Sequence, residues 1–189
     1  MNWYNNTLKL AAILGNLSVR DKHGRELHHD ESFSRWRDLT VEIRNSGLRV
    51  FLIGNGASAN VASHSAVDLA KNGRIRTEIF TDVSLITAIA NDISYEQIFV
   101  EPLMLKMIEG DMLVAISSSG NSQNVLRGAE TARNLGGIVI TLSAMKSENA
   151  LKKLGDLNFY VPAQTYGFAE TGHAAVLLFW IDQVIGDMR

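Results

Sequence analysis

The chain has 189 residues, 46% of them hydrophobic and 20% charged, which is enough for one domain with a full core. A formal net charge of −2 with no basic run argues against a nucleic-acid surface, and the absence of cysteine excludes disulfides and thiolate metal sites and points to a reducing, cytoplasmic setting. The N-terminus lacks a signal-peptide pattern, and the longest apolar run, Ala174 to Ile181, is far short of the ~20 residues that cross a bilayer, so no membrane partner is expected.

Trp3 to Leu17 carries Trp3, Leu8, Ala11, Ala12 and Leu14 at helical spacing. Val19 to Asp30 is polar, contains a glycine and reads as a loop between two helices. Its His23, His28 and His29 read as solvated surface rather than a metal site. Ser32 to Ser46 is a second amphipathic helix, stopped at Ser46-Gly47. Two helices ahead of the first strand exceed what a small sheet covers, which suggests a helical bundle with another copy of the chain.

Leu48 to Ile53 is the first strand, apolar on both faces as a central parallel strand is. Gly54-Asn55-Gly56-Ala57-Ser58-Ala59 follows and opens a helix to about Asn72. Gly54 and Gly56 permit positive φ and close backbone approach to a ligand, while Asn55 and Ser58 offer side-chain hydrogen bonds. As letters this is also G-x-G-x-x-A, a dinucleotide fingerprint, with Asp82 after the strand Thr77 to Phe80 standing about where a ribose-binding acid belongs. The two preceding helices, and the little chain left for a substrate domain, weigh against that reading. On the helix after the loop, His64 and Asp68 share one face, as a proton-transfer pair, half a metal site or a surface ion pair. Asp82 to Ala90 is a short capped helix broken at Asn91-Asp92. Ser94 to Lys106 is another, with Pro102 kinking it or marking a new start.

Met112 to Ile116 is a buried strand that runs into Ser117-Ser118-Ser119-Gly120-Asn121-Ser122 and then a helix capped by Ser122 or Asn121. Free backbone N–H groups, the positive end of the helix dipole and uncharged hydroxyl donors converge there, and a phosphate is the natural guest. Ile138 to Leu142 is the next strand, Ser147 to Leu154 a short helical segment, and Leu157 to Val161 the last strand. Phe168 to Met188 is a long helix, apolar nearly all round from Ala174 to Ile181, so both of its sides should be covered. Glu170 and His173 share a face near its start. Five strands alternating with helices imply an α/β three-layer sandwich with a five-stranded parallel sheet, preceded by two helices. Both Gly/Ser loops lie at the carboxyl ends of strands, where such sheets bind ligands, and would form opposite walls of one pocket.

GNGAS at Gly54 to Ser58, Thr81-Asp82-Val83-Ser84, Asn91-Asp92 and ISSSGNSQNV at Ile116 to Val125 together resemble the sugar-isomerase (SIS) domain family, in its phosphoheptose isomerase branch. The resemblance runs from about Leu48 to the C-terminus. It implies a single SIS, flavodoxin-like domain, with residues 1–46 as a helical oligomerisation segment and 47–189 as the phosphosugar-binding core. It also implies a homotetramer with sites between subunits, and an aldose–ketose isomerase of a sugar phosphate such as sedoheptulose 7-phosphate. The phosphate would be held by Ser117, Ser118, Ser119 and Ser122, and the sugar by Asn55, Gly56, Ser58 and Asp92.

Isomerisation needs one base to move a proton between C1 and C2 and another group for the oxygens. The family pattern puts His64, Asp68, Glu170 and His173 in those roles, with Asp68 as base and His173 or Glu170 as second proton carrier. Asp68 stands where the family has Glu, and Leu177, or Val176 if the alignment slips, where it has a second His. The same four residues would make a candidate Zn2+ site. A non-catalytic phosphosugar-binding module, regulatory or partner-recruiting, is the competing expectation, and Leu177 favours it.

Overall fold

The computed structural model describes residues 2–186. Within them the chain runs α1 (Trp3–Gly15), β1 (Ser18–Asp21), β2 (Glu26–Leu27), α2 (His29–Asn45), β3 (Arg49–Gly54), α3 (Ala57–Lys71), β4 (Arg76–Ile79), α4 (Val83–Asp92), α5 (Val100–Lys106), β5 (Met112–Ser117), α6 (Gln123–Asn134), β6 (Ile138–Ala144), β7 (Leu157–Val161) and α7 (Tyr166–Gly186). The seven strands form one sheet in the order β2-β1-β7-β6-β5-β3-β4. The expected end of the last helix, Met188, lies outside the described residues.

Strand pairing β4-β3-β5-β6-β7 is parallel throughout, as buried apolar runs separated by helices require for β3, β5, β6 and β7, while the half-exposed, polar β4 closes the edge. Residue alternation in β5 shows why both faces are covered. Met112, Val114 and Ile116 enter the core on the side of α2, α3 and α7, while Leu113 and Ala115 enter the other core with Val125 and Ala129 of α6. The first of these cores is locked by Trp36 of α2 stacked on Trp180 of α7, ring centroids 4.0 Å apart. The Trp180 indole N–H donates to the Thr40 hydroxyl at 3.1 Å, and that hydroxyl donates to the Trp36 carbonyl at 2.7 Å.

Several expectations need correction. The polar stretch after α1 is not a loop but the β1–β2 hairpin, which adds two antiparallel strands beside β7. Val19 supplies its buried apolar contact. The Asp21 carboxylate holds the turn, accepting from the main-chain N–H groups of His23 and Arg25 at 2.8 and 3.0 Å and from the Arg25 guanidinium at 2.7 Å. Charge along this segment therefore marks turn chemistry. The second correction concerns Ser94 to Lys106, which is a 3-10 turn at Tyr95–Gln97 followed by α5, with Pro102 in the first helical turn where no N–H is missed. The helix α4 runs on through Asn91 and Asp92 instead of breaking there, and Ser147 to Leu154 reduces to a 3-10 turn at Leu151–Lys153.

The helix α7 is covered on one side only. Val176, Leu177, Trp180 and Ile181 are buried, whereas Leu178 and Phe179 remain exposed, as do Trp3, Tyr4 and Leu8 of α1.

Candidate functional site

Where β3 and β5 lie side by side, the chain leaves them in opposite directions along the sheet, to β4 on one side and β6 on the other. Crevices form at such reversals, beyond the carboxyl ends of the strands. A pocket opens there, lined by Asn55 and Ser58 from the β3–α3 loop, Ser117, Ser118, Ser119 and Ser122 from the β5–α6 loop, and Tyr166 and Glu170 from the start of α7.

The β3–α3 loop owes its shape to its two glycines. A side chain at Gly54 would meet the Ser58 Cβ at 2.7 Å and the Ile116 carbonyl at 3.1 Å, so the absence of one lets the two loops touch. Gly56 takes φ +54 to start α3, between Asn55 and Ser58.

The serine loop is built by its own hydroxyls. Ser117 Oγ lies 3.2 Å from Ser122 Oγ and 3.4 Å from Ser119 Oγ, and it accepts from the Gly120 N–H at 3.2 Å. Ser122 is the N-cap of α6 and makes no side-chain cap bond, which leaves its hydroxyl free to face the pocket. The loop is braced from behind. The Ser118 carbonyl accepts from Ala144 N–H at 3.2 Å, the Gly120 carbonyl from Leu151 N–H at 2.9 Å, and the Asn121 side-chain oxygen from Ala150 N–H at 3.2 Å. Among the described residues no lysine or arginine lines the pocket. Its donors are neutral hydroxyls and the N-terminus of α6, whose dipole favours an anion.

Three neighbours of the site were not singled out from sequence. Asn124, in the first turn of α6, exchanges amide hydrogen bonds with Asn55 at 2.9 Å in each direction, and Tyr95 donates its hydroxyl to the Asn55 oxygen at 3.3 Å. Tyr166 forms part of the pocket wall. An asparagine within a helix is poorly suited to it, and that was the available signal for Asn124.

The remaining expected residues are dispersed. Glu170 is in the pocket wall. His64 Nε2 and Asp68 Oδ2 meet at 3.4 Å as a pair on α3 that does not line the pocket. Asp92 is exposed at the end of α4, accepts from the Asn91 amide at 2.9 Å and also stands outside the pocket lining. Asp82, the acid considered for a ribose, caps α4 by accepting from Leu85 N–H at 2.9 Å. His173 is only 1% exposed and points into the interior, with neither ring nitrogen in a hydrogen bond. Burial lowers its pKa to about 4, with the Ser143 main chain pulling weakly the other way, so the ring is neutral at pH 7. Among the described residues no three His, Asp or Glu side chains stand close enough to hold a metal ion. The set His64, Asp68, Glu170 and His173 therefore does not fit Zn2+ within one chain.

The sequence profile of the SIS domain matches residues 26–144. The chain belongs to the SIS domain family. A phosphoheptose isomerase of Aliarcobacter butzleri is 36% identical to this SIS chain over 141 residues, 70% of this chain and 73% of the relative. One of Helicobacter pylori (strain Shi470) is 38% identical over 134 residues, 66% of this chain and 68% of the relative. The structure of phosphoheptose isomerase from Neisseria gonorrhoeae superposes with a TM-score of 0.75 at 26% identity, covering 82% of this chain and 86% of that one. That of a phosphoheptose isomerase from Francisella tularensis shares the fold, with a TM-score of 0.82 over 99% of this chain and 95% of the other at 23% identity. No helix among the described residues of the SIS chain is long and apolar enough to cross a membrane.

Proposed function

We propose that the chain is an aldose–ketose isomerase of a phosphorylated sugar resembling sedoheptulose 7-phosphate. The observation that carries this reading is Glu170 in the wall of a pocket otherwise made of serine hydroxyls and amides. The serine loop and the N-terminus of α6 hold the phosphoryl group. Asn55 and Ser58 orient the sugar hydroxyls. Glu170 takes the proton from one of C1 and C2 and returns it to the other, as a base must in this reaction, while the proton on one of O1 and O2 passes to the other through a neighbouring pocket hydroxyl. The phosphoheptose isomerase relatives support the choice of substrate.

His173 is a neutral interior ring behind the pocket and acts by shaping it. The base role expected of Asp68 finds no support within a single chain, because Asp68 is paired with His64 away from the pocket. The exposed aromatic faces of α1 and α7 favour assembly into the homotetramer that the family resemblance implies, with sites between copies, in the cytoplasm. No step is drawn through Zn2+, since one chain does not gather the ligands.

One observation favours a second reading, a phosphosugar sensor without turnover. Leu177, standing where the family pattern has a histidine, is fully buried in the core. The two readings separate in one experiment. The full chain is mixed with sedoheptulose 7-phosphate, with and without Zn2+, while ketose-to-aldose conversion and thermal stability are followed. Conversion supports the isomerase. A thermal shift without conversion under either condition leaves the sensor, and neither effect removes the phosphosugar reading.

A further inference from the structure

On the far side of the serine loop's bracing segment, a second cavity of about 300 Å3 opens between the β1–β2 hairpin and the turn before β7. It is lined by Arg20, Lys22, His23, Lys152 and Lys153, together with the carboxylates of Asp21 and Glu148. Most of the acids nearby are already engaged. The Asp21 carboxylate holds the hairpin turn and Arg25, Glu26 pairs with Arg20 at 2.9 Å, and Glu148 pairs loosely with Lys153 at 3.8 Å. Lys22 has no ion-pair partner among the described residues.

Lys152 is the unusual group. It is 8% exposed, its ammonium donates to the Ser147 carbonyl at 3.2 Å and lies 4.3 Å from the centre of the Tyr160 ring, and no described carboxylate comes within ion-pair distance. Burial pushes its pKa down most and Arg20 pushes the same way, while the nearby Glu148 and Glu26 pull only partly against them. A buried ammonium that touches no carboxylate is costly, and an anion in the cavity would offset that cost.

We propose that this cavity is a second anion site, which takes a small ligand carrying two linked phosphoryl groups. Its cations come from two facing segments, Arg20 and Lys22 on the hairpin and Lys152 and Lys153 on the turn, so that an extended polyanion can engage both. The two anion pockets share a wall. Ala150 and Leu151 donate to the serine loop, while the Lys152 N–H donates at 3.0 Å to the Asn149 side chain behind it.

Inorganic pyrophosphate is the probe, titrated calorimetrically into the full chain, into Lys22→Glu and into Ser122→Asp, whose new charge blocks the serine pocket. Lys22 is exposed, so its variant keeps the fold. The hairpin site is the binding that Ser122→Asp retains and that Lys22→Glu weakens at least tenfold. Pyrophosphate binding unaffected by Lys22→Glu, or absent from Ser122→Asp, overturns the proposal.

Discussion

Asn55 and Asn124, 69 residues apart in the chain, face each other across the gap between the β3 and β5 loops and satisfy each other's amides at 2.9 Å. This pair fixes the distance between the two walls of the pocket. The Asn124 oxygen also accepts the Val125 N–H at 3.0 Å, so one side chain serves both the helix start and the wall. Asn124→Ala strands a half-buried amide, and a lost partner of that kind costs about 1–3 kcal/mol. Chemical denaturation should show a fall of that size. The KM for the sugar phosphate should rise with little change in kcat, because the wall moves while Glu170 does not.

Glu170→Gln keeps the shape of the pocket wall and removes its carboxylate. Proton transfer by a positioned side chain contributes roughly 10²- to 10⁴-fold, and kcat should fall by that much. Glu170 is only half-buried, so the melting temperature should stay within about a degree of the parent. Retained turnover in this variant would remove Glu170 from the mechanism.

His173 gives the chain an acid-sensitive core. Its folded pKa of about 4 lies below the ordinary 6.5, so between these values the unfolded chain binds a proton that the folded chain does not. Stability is therefore full above pH 6.5, and it is lost as pH falls from there through about 4. A shift of this size corresponds to an effect on the order of 3 kcal/mol. His173→Leu should flatten the stability profile across that window in denaturation curves at stepped pH.

Gly120 has φ +65 and backs onto Asn149, so a Cβ there would overlap the Asn149 amide. That amide is buried and tethered, donating to the Ser143 hydroxyl at 3.2 Å and the Lys146 carbonyl at 2.9 Å. Gly120→Ala combines left-handed strain with overpacking and should cost about 2–5 kcal/mol. The expected fall in melting temperature is about 2–4 °C for each kcal/mol in a chain of this length. Asn149→Ala in the same background should recover part of it by vacating the space.

The sequence made β5 and the serine turn plain and narrowed the N-cap to Ser122 or Asn121, because a buried apolar strand followed by hydroxyls and a helical repeat has one local solution; the structure takes Ser122. Glu170 was a candidate only through the family resemblance, and the structure puts it in the pocket wall. The β1–β2 hairpin was hidden because its pairing partner, β7, lies far along the chain and Asp21 disguises a strand end as surface charge. His64 and Asp68 were rightly put on one helical face, but the direction that face takes depends on how α3 rolls on the sheet. His173 illustrates the same limit: a histidine three residues from Glu170 turns into the core, since the register of α7 is set by the Trp36–Trp180 stack at its far end.

A pocket whose only formal charge among the described residues is a carboxylate has an electrolyte dependence opposite to that of an arginine clamp. The phosphoryl group and Glu170 repel, and added ions shield that repulsion while leaving the short hydroxyl contacts almost untouched. Sugar-phosphate affinity should then hold steady or increase from dilute buffer to half-molar potassium chloride.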